Sequence, residues 1–154
     1  MRILIIIMFF CVITGCSTAN EYPEDFEFIF SYGVMNKNIL NTFEGTYTKD
    51  LVIDGGITTE LKVTKDEKQK IYTYMKDIGL FQYAEKIEGM NIEPASGYSF
   101  EIQYNGKRKW IEWIGEFTNN KRDLEFKELT KMIQEIIKSK EEYKALPSPN
   151  GYYE

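Results

Sequence analysis

Residues 98–114 read YSFEIQYNGKRKWIEWI, two runs of alternating apolar and polar side chains joined by Asn105-Gly106. This segment constrains the fold most, because Asn and Gly can both take positive φ at the centre of a two-residue type I′ turn, and that turn pins the register. Pairing Tyr104 with Lys107 sets Ile102 opposite Lys109, Phe100 opposite Ile111 and Tyr98 opposite Trp113. That face is core. The reverse face carries Gln103 with Arg108, Glu101 with Trp110, and Ser99 with Glu112, since successive side chains alternate across a strand.

Upstream, Phe26, Phe28, Phe30 and Tyr32 alternate with Glu27, Ile29 and Ser31, which predicts a strand ended by Gly33. A second extended stretch is expected over 39–53 and a third over 57–63. A turn at Asp54-Gly55 would join them and set Lys49 opposite Glu60. Thr64-Lys65-Asp66-Glu67 has the form of a capping box and starts a helix. Its core face is Ile71, Tyr74, Met75 and Ile78, and Gly79 falls at the C′ position. Residues 85–97, with Gly89, Pro94 and Gly97, read as the longest loop, of a length that goes with function or mobility. From Arg122 a second helix carries Leu124, Phe126, Leu129, Met132, Ile133, Ile136 and Ile137 as one apolar stripe, ending near Ser139. Another turn is expected over 141–145. Pro147, Pro149 and Gly151 mark an irregular tail, 147–154. The order is β-β-β-α-β-β-α, an α+β domain: a largely antiparallel sheet of about five strands with two helices packed on one face.

The first residues are of another kind. Met1-Arg2 precede an almost unbroken apolar run over 3–13, followed by Thr14-Gly15-Cys16. Twelve or so apolar residues make a helix of about 18 Å, short of the roughly 30 Å hydrocarbon core, so the run reads as a cleaved leader rather than a span. Ile13-Thr14-Gly15-Cys16 is a bacterial lipobox: Gly15 is the small residue before the cut, and the Cys16 thiolate is alkylated by a diacylglyceryl group. The expected organisation is a lipoprotein signal peptide over 1–15, lipidated Cys16 with a tether over 16–25, one domain over 26–146, and the tail. Two acyl chains hold a protein stably on a membrane, so it is placed on the extracytoplasmic side of the cell membrane.

Composition narrows the chemistry. The chain has no histidine, and its second cysteine, Cys11, leaves with the leader, so the commonest metal ligand, the commonest general base and all thiol chemistry are missing from the domain. No cofactor is expected. The formal net charge of −5 argues against nucleic acid as a partner.

Four stretches carry a resemblance: Thr46-Tyr47-Thr48-Lys49-Asp50-Leu51-Val52, Thr58-Thr59-Glu60-Leu61-Lys62-Val63-Thr64, Tyr74-Met75-Lys76-Asp77-Ile78-Gly79-Leu80-Phe81 and Ser139-Lys140-Glu141-Glu142-Tyr143-Lys144-Ala145-Leu146-Pro147. In these the chain resembles small uncharacterised lipoproteins of Bacillus-type Gram-positive bacteria. The resemblance implies no reaction, ligand or catalytic residue.

Three classes of function stay open. The first is a non-catalytic envelope module that binds a protein or glycan. Its candidate binding face is Trp110 with Arg108, Glu101 and Glu112, unless residues 85–97 or the tail cover the indole. The second is a structural or inhibitory lipoprotein acting by surface occlusion. The third is a hydrolase using carboxylates or a serine-lysine pair, with Glu101 and Glu112 as a glycosidase-like pair; against it, no G-x-S-x-G or S-x-x-K string occurs. Glu21, Glu24, Asp25 and Glu27 offer oxygen ligands of the kind calcium takes, but their spacing fits no EF-hand loop, and a solvated acidic tether is the expectation.

Overall fold

The computed structural model describes residues 22–91 and 93–153; the leader, the lipobox with Cys16, and Glu21 lie outside them. The strands are β1 (Glu27–Val34), β2 (Asn38–Asn41), β3 (Thr46–Asp50), β4 (Gly56–Glu60), β5 (Lys86–Glu88), β6 (Ser96–Tyr104) and β7 (Lys107–Ile114). The helices are α1 (Lys65–Asp77), α2 (Lys121–Ser139) and the single turn α3 (Glu141–Lys144). All seven strands form one sheet in the order β4-β3-β2-β1-β6-β7-β5, antiparallel except for the β5/β7 edge. The class is the expected α+β; the count is larger than the five strands and two helices expected.

The hairpin has the expected register at every pair, from Gly97 with Ile114 to Tyr104 with Lys107. Asn105 and Gly106 sit at φ +49° and +69°. The Asp25 carboxylate accepts both of their amides, at 2.7 Å each. β1 pairs with β6 along its whole length, so Phe28, Phe30, Phe100, Ile102, Ile111 and Trp113 form one fully buried patch. Phe126, Leu129, Ile133 and Ile137 of α2, with Ile71 and Met75 of α1, close it from one side. Trp113 stacks on Phe126 at 4.8 Å and Phe30 on Phe100 at 4.8 Å, so aromatic contact links sheet and helix layers. The Thr64 capping box forms in full, and Gly79 takes φ +69° after α1.

Four local expectations need correction. The stretch 39–53 is two strands, split by a turn over 42–45 in which the Asn41 side chain accepts from Phe43 and Glu44 amides and Gly45 takes φ +65°. Lys49 faces Ile57 and not Glu60, because the β3–β4 connection runs over residues 51–55, closed by Leu51 N–H donating to the Gly55 carbonyl at 2.7 Å, and not through a two-residue turn. Residues 85–97 are not simply a loop: β5 pairs parallel with β7, and Met90 bridges Glu116. Gly89 permits that edge, since a Cβ there would lie 2.2 Å from the Glu116 carbonyl oxygen. Finally Leu124, expected on the apolar stripe of α2, is 44% exposed, for at 3.6 residues per turn it falls on the side of the helix opposite Phe126, Leu129, Ile133 and Ile137.

Candidate functional site

Among the described residues, no helix packs on the reverse face of the sheet. Trp110 stands on it 45% exposed, covered neither by the 85–97 segment nor by the tail, and Ile114 on the same strand face is also exposed. Arg108 pairs with Glu101 across the hairpin at 3.2 Å with both side chains largely in solvent, an ion pair of little energetic weight. Glu112 lies beside β5, where its amide donates to the Glu85 carbonyl. The hairpin therefore brings the four residues expected on one face together, and only Glu112 among them borders a recess, a hollow of about 180 Å³ shared with Ile114, Met35 and Ala95. The acidic residues near the tether diverge instead. Asp25 is held by the hairpin turn, whose Gly106 and Asn105 amides pull its pKa below the usual carboxylate range, and Glu27 reaches Lys68 on α1 at 2.5 Å. Among the described residues no cluster of three or more possible metal ligands occurs.

A recess lies on the helix side, at the other end of β1. Sheet pairing brings Tyr32, Asn38 and Lys49 to the same end of three neighbouring strands. The C-terminal end of α2 supplies Gln134 and Lys138, α3 supplies Tyr143 and Lys144, and Ser148, Pro149 and Tyr153 of the tail close the opposite wall. Together they bound a cleft of about 610 Å³, within the range of small-ligand sites. The tail is fixed there: Asn150 N–H donates to the Leu51 carbonyl at 3.2 Å, the Asn150 amide meets Asp54, and Tyr153 Oη donates to Asp50 Oδ2 at 2.6 Å. Lys37 Nζ in turn donates to Tyr153 Oη at 3.0 Å.

Lys49 dominates the cleft. It is 8% exposed, and its ammonium lies 4.6 Å from the centroid of the Tyr143 ring, a cation–π contact. It makes no hydrogen bond or ion pair with any described residue. Its stem is buried, while its ammonium stays open to the solvent of the cleft. Asp50, the next residue and itself buried, is engaged elsewhere: it accepts from the Val52 amide at 3.0 Å through Oδ1 and from Tyr153 through Oδ2. Val52 is held at φ +70°, a conformation unfavourable for a β-branched residue, so the Asp50 contact and the tail packed on residues 52–54 stabilise a strained turn at the cleft rim.

A polar chain runs along the floor. Tyr47 Oη lies within donating distance of Asn38 Oδ1, at 3.3 Å, and shares a 2.7 Å bond with Tyr32 Oη in which either hydroxyl can donate. Burial pushes the Tyr32 phenol up to about 12, although the Tyr47 hydroxyl draws it down; burial and then the nearby Tyr32 push Tyr47 up as well. Both stay neutral at physiological pH. They offer hydroxyl oxygens, not a base or a nucleophile. The cleft can thus bind a negative group through Lys49, with further hydrogen-bonding groups on Asp50, Asn38 and Tyr32.

Periodicity could have found Lys49. Leu40 and Tyr47 face inward, and the period of two carries Lys49 to the same side; the supposed pairing with Glu60 hid this. The tail wall had no such signal, because an irregular segment shows no period to read. No family model, no curated protein and no solved structure matches this chain.

Proposed function

We propose that this protein is a membrane-anchored extracytoplasmic lipoprotein that works without catalysis, as a binding module holding an anionic group of an envelope ligand in the cleft. The observation that carries the reading is Lys49, buried at the wall of a 610 Å³ cleft and lacking an acidic partner among the described residues. The anchor rests on the apolar run over 3–13, the lipobox ending in Cys16, and the resemblance to small lipoproteins of Bacillus-type bacteria. No helix among the described residues is long and apolar enough to cross a membrane.

Calorimetric titration of the full chain with galacturonate and with neutral galactose tests the binding reading. Galacturonate should bind and galactose should not. A charge-assisted hydrogen bond contributes about 1.5–3 kcal/mol, so Lys49→Met should weaken galacturonate by about tenfold or more. The fold should not suffer, since methionine fills the same space without a cation to desolvate. Equal binding of the charged and neutral sugars, or full affinity in Lys49→Met, would remove the reading. A second reading, a protein partner on the reverse sheet face, is favoured by the exposed Trp110 and, beyond Glu112 on the same strand face, the exposed Ile114.

A further inference from the structure

The cleft is one end of a longer groove. Gln134 and Lys138 also bound a second hollow of about 290 Å³ that continues past Lys131 to Lys127 and Tyr98. Tyr98 and Lys127 in turn border a third hollow, of about 360 Å³, beside Phe117. Lys127, Lys131, Gln134 and Lys138 fall at i, i+4, i+7 and i+11 along α2, one face of the helix. At 1.5 Å per residue the three lysines span roughly 16 Å.

Charge along this groove is unbalanced against the molecule. Five lysines line it, Lys49, Lys127, Lys131, Lys138 and Lys144, against the carboxylates of Asp50, Glu116 and Glu135, so it stays basic in a chain of formal net charge −5; the first four of these lysines make no ion pair with any described residue. The contrast with the start of the same helix is direct: Lys121 pairs with Glu125 four residues on, at 3.6 Å, whereas Glu135, four residues after Lys131, forms no such pair. A lysine stripe alone would be a solvated helix face. Here it borders a continuous depression that begins at the largely buried Lys49 side chain.

The remaining lining selects among anions. Tyr143 borders the cleft beneath Lys49, and Asn38, Asp50 and Gln134 offer hydrogen-bonding groups suited to hydroxyls, while the Tyr98 ring is itself stacked against Phe30 and Phe117. We propose that the groove takes a linear acidic saccharide, a chain of hydroxylated rings bearing anionic groups on successive units, with its terminal unit in the cleft at Lys49 and the following units along α2. This rests on the reading of the cleft as an anion site. Successive units bound by one groove act multivalently, so affinity should rise with chain length.

Oligogalacturonates of one, three and six units, titrated into the full chain in non-ionic detergent, test this. The hexamer should bind at least about tenfold more tightly than the monomer, with an affinity that falls as salt rises. Lys127→Gln/Lys131→Gln should weaken the hexamer at least about fivefold, and Lys107→Gln, on the distant hairpin turn, should not. Helix content and the urea midpoint of the double variant check that it folds. Monomer and hexamer of equal affinity would overturn the extended groove and leave the cleft as the site of a small anion. Tighter binding of hexathymidylate or hexaglutamate would overturn the saccharide class. Failure of every anion would remove this inference and the anion reading together.

Discussion

Asp123 shows how a single buried carboxylate ties a helix start to the chain before it. Its oxygens accept from the Thr118 hydroxyl at 2.7 Å, the Thr118 amide at 2.9 Å and the Arg122 guanidinium at 3.1 Å. Burial alone would push its pKa up, but these bonds, with that to Asn120, outweigh it and hold the carboxyl below the usual carboxylate range. Its stabilising effect is therefore complete above the unfolded value, near 3.9, and is lost as pH falls through the lower folded value. Asp123→Asn should cost roughly 1.5–3 kcal/mol at pH 7, with the gap to the native chain narrowing below about pH 4. Urea midpoints at pH 7 and pH 3 decide it; the same penalty at both would mean that the charge is not what matters. The two tryptophans supply a second contrast at this scale. Trp113 is fully buried against Phe126, whereas Trp110 lies on the open face. Trp113→Ala should cost roughly 3–5 kcal/mol and Trp110→Ala much less. Thermal unfolding of the two variants gives the comparison, and similar losses would place Trp110 in a packed environment.

Among the elements, those whose geometry is set by adjacent residues were legible in the sequence. The β6–β7 hairpin depends on two positive-φ positions, and Asn105-Gly106 announces them. Gly106→Val should destabilise by roughly 1 kcal/mol or more, because a β-branched side chain resists φ +69°. An unchanged denaturant midpoint would show that the turn relaxes without loss. The capping box of α1 and the apolar stripe of α2 from Phe126 onward were legible for the same reason, each being a local pattern with a fixed period. The β3–β4 connection was not. Its Val52 takes φ +70° in a turn that Asp50 hydrogen-bonds locally but that Asn150 and Gly151, about a hundred residues later, pack against. The residues 54-55-56 look like a hairpin turn, yet the chain turns three residues earlier in register. β5 was equally hidden: three residues carry no measurable period, and its pairing with β7 depends on close backbone approach at Gly89 and Gly115. The cleft inherits this difficulty. The period of two from Tyr47 points Lys49 inward, a signal that the expected pairing with Glu60 hid, and the wall opposite is made by a tail whose fixed points are hydrogen bonds to residues on another element.

At the scale of the whole molecule, the sheet separates the two ends of β1 and with them the two proposed roles. β1 begins at Glu27, just after the Asp25 contact with the hairpin turn, and ends at Val34 in the cleft wall. At about 3.4 Å per residue its ends are roughly 24 Å apart. In the proposed anchored form, the tether from Cys16 would enter at the Asn105-Gly106 end, and the Asp25 clamp would orient that end toward the bilayer. The cleft would then open away from the membrane, where an envelope polymer is accessible. Anchoring at one point does not by itself fix orientation, but in that form only five residues would separate Cys16 from Tyr22, whose amide donates to Gln69 at 3.1 Å. A short leash ending at a fixed point keeps that point nearest the surface. Reconstitution of the lipidated protein in vesicles, with a fluorophore at position 105 or at position 150 and a quencher on the lipid headgroups, measures this directly. Quenching should be stronger at 105. Stronger quenching at 150 would turn the cleft toward the bilayer and make the headgroups themselves its nearest anions. Cys16→Ala should abolish membrane retention and quenching at both positions, and quenching that persists in this variant would remove the lipid anchor on which the orientation depends.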